Sequence, residues 1–120
     1  MKTISKRAYL HVVELGNNDT SAPIAQSAYA SGNNTSPYTA NLLAPPLQGT
    51  NFDVYLLGSG DDITSGTPTG TPAVTNLVFN HGSGTAAGAY FKDTPSQLES
   101  FCVGCASKHW GTIAVEIKRP

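Results

Sequence analysis

Phe52-Asp53-Val54-Tyr55-Leu56-Leu57 sets Phe52, Val54 and Leu56 on one side against Asp53, Tyr55 and Leu57 on the other, the period of two of an extended strand. One side is wholly apolar and the other mixed, so the segment reads as a half-buried strand. Working outward, residues 73–80 (AVTNLVFN) and 86–92 (AAGAYFK) are two more strands flanking His81-Gly82-Ser83-Gly84. They predict a hairpin whose loop is longer than the tightest two-residue type. Residues 111–118 (GTIAVEIK) place Ile113, Val115 and Ile117 on one side and form the last strand, and residues 8–15 (AYLHVVEL) form the expected first strand.

The intervening stretches are of a different composition. Gly16-Asn17-Asn18-Asp19 is a turn signal, since Asn and Asp tolerate left-handed backbone and bond locally. Residues 20–48 thin to Ala, Ser, Asn and Pro, which predicts a long excursion with at most two short strands, closed by Pro45-Pro46. Residues 58–72 (GSGDDITSGTPTGTP) have too little to bury to offset the entropy of ordering, and are expected to be an exposed, mobile loop. Thr94-Pro95-Ser96-Gln97 has the spacing of a capping box with Pro at the first helical position, which predicts one short helix over residues 95–102. No repeat of fixed period is present. Together these elements predict an all-β chain, a single domain over residues 1–120, built as a β-sandwich or small barrel with that one helix.

Composition agrees with this class and narrows function. Gly, Ser, Thr, Asn and Pro supply 52 of 120 residues whereas only 15 are charged, so the surface is built from hydroxyls and amides and not from the Lys and Glu of helix faces. A net charge of −1 favours neither nucleic acid nor an anionic membrane as partner. The charge is unevenly placed, however: Lys2, Lys6, Arg7, Lys118 and Arg119 lie at the two ends. Antiparallel pairing of the first and last strands would gather these five into a basic docking foot for an acidic partner surface; the plainer reading is that charged ends keep fraying termini soluble. His11 and Glu14 interrupt the apolar run that a secretory signal needs, and no stretch approaches the roughly 20 apolar residues that span a bilayer. Maturation in a cytosol, with both cysteines reduced at first, is the expectation.

Cys102-Val103-Gly104-Cys105 is the one motif with intrinsic chemistry, because two thiolates at this spacing share a zinc, close a disulfide or act as a redox pair. Late in the expected helix, Cys102 lacks the N-terminal dipole that activates a redox thiol. A zinc site would need two further ligands, with His109, His81 and His11 as candidates, while burial as small apolar side chains is the ordinary fate of free cysteines. Ser83, His81 and Asp53 could be written as a triad, yet no nucleophile elbow is present. Asp61-Asp62 offers oxygens to calcium without the spacing of an EF-hand. Tyr9, Tyr29, Tyr38, Tyr55, Tyr90 and Trp110 include the residue types of a sugar-stacking platform, though most should be core, with Trp110 anchoring the cysteine segment to the sheet.

With no complete catalytic set, no cofactor motif and sparsely charged strands, the expectation is a non-enzymatic structural protein of a large assembly. Most concretely it is a small bacteriophage capsid decoration or cement protein, made in a host cytoplasm and resident in the virion. A carbohydrate-binding or adhesion module is the alternative, and a small metal or redox protein centred on Cys102 and Cys105 is the third reading. Strand edges with few charges are poorly guarded against pairing, which predicts a homo-oligomer, a trimer before a dimer.

Overall fold

The computed structural model describes residues 12, 14–35, 37–60, 75–82, 85–101 and 108–120. Its strands are β1 (Ile24–Thr35), β2 (Tyr38–Asn41), β3 (Asn51–Ser59), β4 (Thr75–Gly82), β5 (Thr85–Lys92), β6 (Leu98–Phe101) and β7 (Lys108–Lys118). Five of them form one sheet in the order β1-β7-β3-β5-β4, and β2 pairs with β6 in a second, small sheet. Every pairing is antiparallel. The fold is all-β, a two-sheet sandwich with β1 and β4 as the edges of the large sheet.

The small sheet covers one face of the large one. On that face Tyr55 of β3 stands between Tyr90 of β5 and Ala114 of β7. Alternation on β2 and β6 turns Tyr38, Ala40, Glu99 and Phe101 inward. Phe101 then wedges between the rings of Tyr55 and Tyr90, at centroid distances of 5.7 and 5.2 Å. Leu42 and Leu57 complete this core, and Trp110 stacks on Tyr38 at its margin. These rings are the largest apolar groups of the core, whose other members are Leu42, Leu57 and the small Ala40 and Ala114.

The central strand departs from its expected orientation. The mixed side of FDVYLL, with Asp53, Tyr55 and Leu57, faces the core between the sheets, while the apolar side turns outward. Phe52, Val54 and Ile117 on that outer side form a second cluster with Leu15, Phe91 and Val115. Hence β3 is buried on both sides for most of its length, as a central strand is when each face has its own cover.

Several expectations are corrected. Residues 98–101 are strand β6, and among the described residues there is no helix. The groups a capping box would use are committed to distant partners: the Ser96 N–H donates to Asp53, the Gln97 side chain donates to the Leu42 carbonyl, and the Gln97 carbonyl accepts from the Leu42 N–H. Residues 8–11 and 13 of the expected first strand lie outside the described residues, and Val12, Glu14 and Leu15 are not in a strand. The last strand pairs on one side with β3 and on the other with β1, which is twelve residues long and drawn from the polar excursion. Its hydrogen-bonding ladder to β7 holds it in place, with little apolar alternation of its own. The hairpin of β4 and β5 is present but tighter than expected, since Gly82 pairs with Thr85 and only two residues separate the strands. The turn at residues 16–19 is as read, with Asn17 in the left-handed region at φ 56°. Most of the 58–72 loop lies outside the described residues, and Gly58 and Ser59 belong to β3.

Candidate functional site

Beyond the part packed under Leu15, the outer face of the large sheet carries an exposed row of apolar side chains running across three strands. Register aligns Tyr29 of β1 with Ile113 of β7, and Ile113 with Leu56 of β3. Their side chains are 85%, 43% and 37% exposed. Beside the row lies strand β1, an edge of twelve residues without a single charge or proline. Such an edge offers unpaired backbone donors and acceptors to another strand, and nothing in its sequence discourages the pairing. Ile24 adds a further exposed apolar group at its start.

At the end of the same face a cleft of about 340 Å³ opens between the Leu15 segment and the sheet, lined by Glu14, Leu15, Asn17, Phe52, Phe91 and Arg119. Arg119 lies 5.4 Å above the Phe52 ring and pairs with Asp93. Its Nε is buried without a hydrogen-bond partner among the described residues. One member of the expected basic foot is therefore already engaged within the chain. Lys118 lies beside it, and its backbone N–H and carbonyl bond to Pro23 and Asp19. Lys2, Lys6 and Arg7 lie outside the described residues.

The other sequence candidates separate clearly. Cys102, Cys105, His11 and Asp61-Asp62 lie outside the described residues, and His109 is exposed on β7. Among the described residues no three metal-ligating side chains cluster. The triad of Ser83, His81 and Asp53 is excluded by register, because His81 aligns with Ala86, and Ala86 with Ser59. That puts His81 six positions along the sheet from Asp53, roughly 20 Å at about 3.4 Å per residue. Trp110 anchors the sheet to β2 by its stack on Tyr38, and its indole N–H donates to Thr35.

Beneath the small sheet lies a polar belt that no sequence motif marks. Lys92, Asp53, Glu116 and Gln26 align across β5, β3, β7 and β1 on the covered face. Glu116 accepts from Gln26 Nε2 at 2.7 Å, Asn51 Nδ2 at 2.6 Å and the Leu47 N–H at 2.8 Å. Burial pushes its carboxyl up, but these three donors outweigh that and hold it below the usual range. Lys92 Nζ donates to Glu99 Oε2 at 2.5 Å and to Ser96 Oγ at 2.9 Å. Asp53 Oδ2 accepts from the Tyr55 hydroxyl at 2.7 Å and the Ser96 N–H at 2.9 Å, whereas Oδ1 is buried with no partner among the described residues. Burial, against those two donors, pushes the Asp53 carboxyl up to about 6. Burial and the neighbouring Asp53 also raise the Tyr55 hydroxyl, and burial takes Tyr90 up to about 12. The parity of Asp53 with Tyr55, and of Glu116 with Ala114, was the signal available in the sequence.

Among the described residues, the fold and surface thus define a two-sheet β protein with a long uncharged edge strand, an exposed apolar row on its outer face and a charged interior. Compared with protein-family models, curated protein sequences and solved structures, the chain matches none.

Proposed function

We propose that the protein is a non-enzymatic structural component of a large assembly, most concretely a small decoration or cement protein of a bacteriophage capsid. The observation that carries this reading is the uncharged β1 edge beside the exposed row of Tyr29, Ile113 and Leu56. An edge strand recruits partners through its backbone, and an adjoining apolar face adds buried area to the contact. In this reading β1 and the open face meet capsid subunits or further copies of the chain, as a trimer before a dimer. The terminal cations Lys2, Lys6, Arg7 and Lys118 supply orientation, with Arg119 held within the chain by Asp93 and Phe52, and the protein is made in a host cytoplasm and carried in the virion. The test is gradient fractionation of phage particles from the source culture with quantitative mass spectrometry of each fraction. Enrichment with intact particles is expected, and loss of that enrichment in a variant lacking the first seven residues and carrying Tyr29→Glu. Recovery only in the soluble fraction overturns the reading.

A carbohydrate-binding or adhesion role is the second reading, favoured by the exposure of the Tyr29 ring, which offers a flat apolar surface of the kind sugars stack on. A glycan array probed with and without calcium tests this reading, which silence with calcium present counts heavily against. The third reading, a metal or redox protein built on Cys102 and Cys105, predicts loss of bound metal or of stability when both are replaced by serine.

A further inference from the structure

The polar belt contains an amine and a carboxylic acid, enclosed together, with a second carboxylate against the amine. Lys92 and Asp53 are directly opposed on β5 and β3, with side chains on the covered face. Opposed residues on one face of an antiparallel pair have Cβ atoms about 5 Å apart, within reach of a lysine stem. Lys92, Asp53 and Glu99 are all almost fully buried. Ser96 bridges the two reactants: its hydroxyl accepts from Lys92 Nζ and its N–H donates to Asp53 Oδ2. Buried charges of this number are costly to maintain. Glu116, the remaining buried carboxylate of the belt, is fully engaged by its three donors, so it does not compete for the amine.

We propose that Lys92 and Asp53 condense into an intramolecular amide, with Glu99 as the proton acceptor. The Lys92 ammonium passes a proton to the Glu99 carboxylate, 2.5 Å away. The neutral amine attacks Cγ of the protonated Asp53 carboxyl, forming the N–C bond, and the carbonyl electrons move onto Oδ2. The Tyr55 hydroxyl and the Ser96 N–H already point at Oδ2 and stabilise the negative charge that develops there. The unpartnered Oδ1 leaves as water on receiving the proton held by Glu99. The nitrogen's surplus proton then returns to Glu99, which ends as a neutral acid beside the new amide. One water is lost, nothing is oxidised or reduced, and the buried ion pair of Lys92 and Glu99 is replaced by neutral groups. Raising of the Asp53 carboxyl by burial keeps its acid form, the competent electrophile, accessible near neutral pH. Enclosure supplies the high effective concentration that drives condensation against water. The reaction occurs once per chain, so it is a modification and not enzymatic turnover. It goes beyond the docking reading and stands whether or not that reading does.

Intact-mass measurement of the full, reduced and denatured chain tests this, before and after prolonged incubation at mildly acidic and neutral pH. The expected mass is lower by one water, with tandem spectra joining the peptide that contains residue 53 to the one that contains residue 92. Asp53→Asn is expected to close with loss of ammonia, which is a distinguishable mass. Lys92→Met abolishes the loss, and Glu99→Gln slows it. An unchanged mass after incubation overturns the proposal, as does a water loss that survives Lys92→Met or maps to Glu99. Where Lys92→Met fails to fold, the peptide map of the unaltered chain decides alone.

Discussion

Glu116 ties four segments together, and removing its carboxylate is the most informative perturbation of the fold. Its oxygens accept from Gln26 on β1, Leu47 in the connection between the sheets and Asn51 on β3, while its own strand is β7. The three donors are unequal in what they lose. The Leu47 N–H belongs to an exposed residue and turns to water, and Gln26 keeps its bonds to the Ala44 backbone. Asn51 is buried, and its side-chain amide would lose its bond to Glu116. A buried donor without a partner costs about 1–3 kcal/mol, and lost bonds to a charged group about 1.5–3 kcal/mol each before relaxation. Glu116→Ala should therefore cost about 3–5 kcal/mol, or roughly 10–20 °C in Tm for a chain of this size. Glu116→Gln keeps the oxygen that serves Asn51 and Leu47 but turns an NH₂ toward Gln26 Nε2, so it should cost about 1–2 kcal/mol. The pH dependence has a definite sign. A carboxyl held below its ordinary value of 4.5 contributes stability that is present above pH 4.5 and is lost as pH falls through its folded value. The gap between native protein and Glu116→Ala should accordingly narrow in acid. Urea unfolding followed by Trp110 fluorescence and far-ultraviolet circular dichroism, at neutral pH and well below pH 4.5, measures all of this. A cost below about 1 kcal/mol for Glu116→Ala, or equal costs for the two variants, refutes the reasoning.

Further outcomes follow from other sites. A Cβ at Gly32 would fall on the Trp110 indole and the Thr35 hydroxyl, so Gly32→Ala should displace the ring from Tyr38 at a cost of about 1–3 kcal/mol, read as a shift in emission of the single tryptophan. Tyr55→Phe removes a donor to Asp53 and should cost about 1 kcal/mol in thermal unfolding, with no change in the circular dichroism of the folded state. Ser27→Lys with Ser31→Lys puts charge on an edge strand that has none, and should shift the protein to monomer in native mass spectrometry while leaving Tm within a few degrees. A native spectrum already monomeric before the change counts against pairing through this edge.

Strands with strong alternation were legible in the residue order. FDVYLL, AVTNLVFN with AAGAYFK, and GTIAVEIK became β3, the β4–β5 hairpin and β7, because a period of two survives wherever a strand packs at least one face. The cap pattern at Thr94 misled, since the Ser96 N–H and the Gln97 groups are taken by Asp53 and Leu42, partners more than forty positions away. Strand β1 was hidden for the opposite reason: its outer side faces solvent and its inner side is only half-buried, so no apolar period marks it. Of the candidate surface, Arg119 was singled out by its charge, whereas the open row was invisible because Tyr29, Ile113 and Leu56 meet only once three strands are in register.

By itself the sequence determined the class: short alternating strands, turns rich in glycine and asparagine, and too few charges for helical surfaces. Tertiary structure alone decided which side of β3 is the interior, because both sides carry groups that burial accepts and only the arrival of β2 and β6 selects between them. It also decided that Asp53, Lys92, Glu99 and Glu116 are interior groups and not surface ones. Residue order states that a side chain is charged, but whether its partners lie close enough to offset desolvation depends on contacts made across the whole chain.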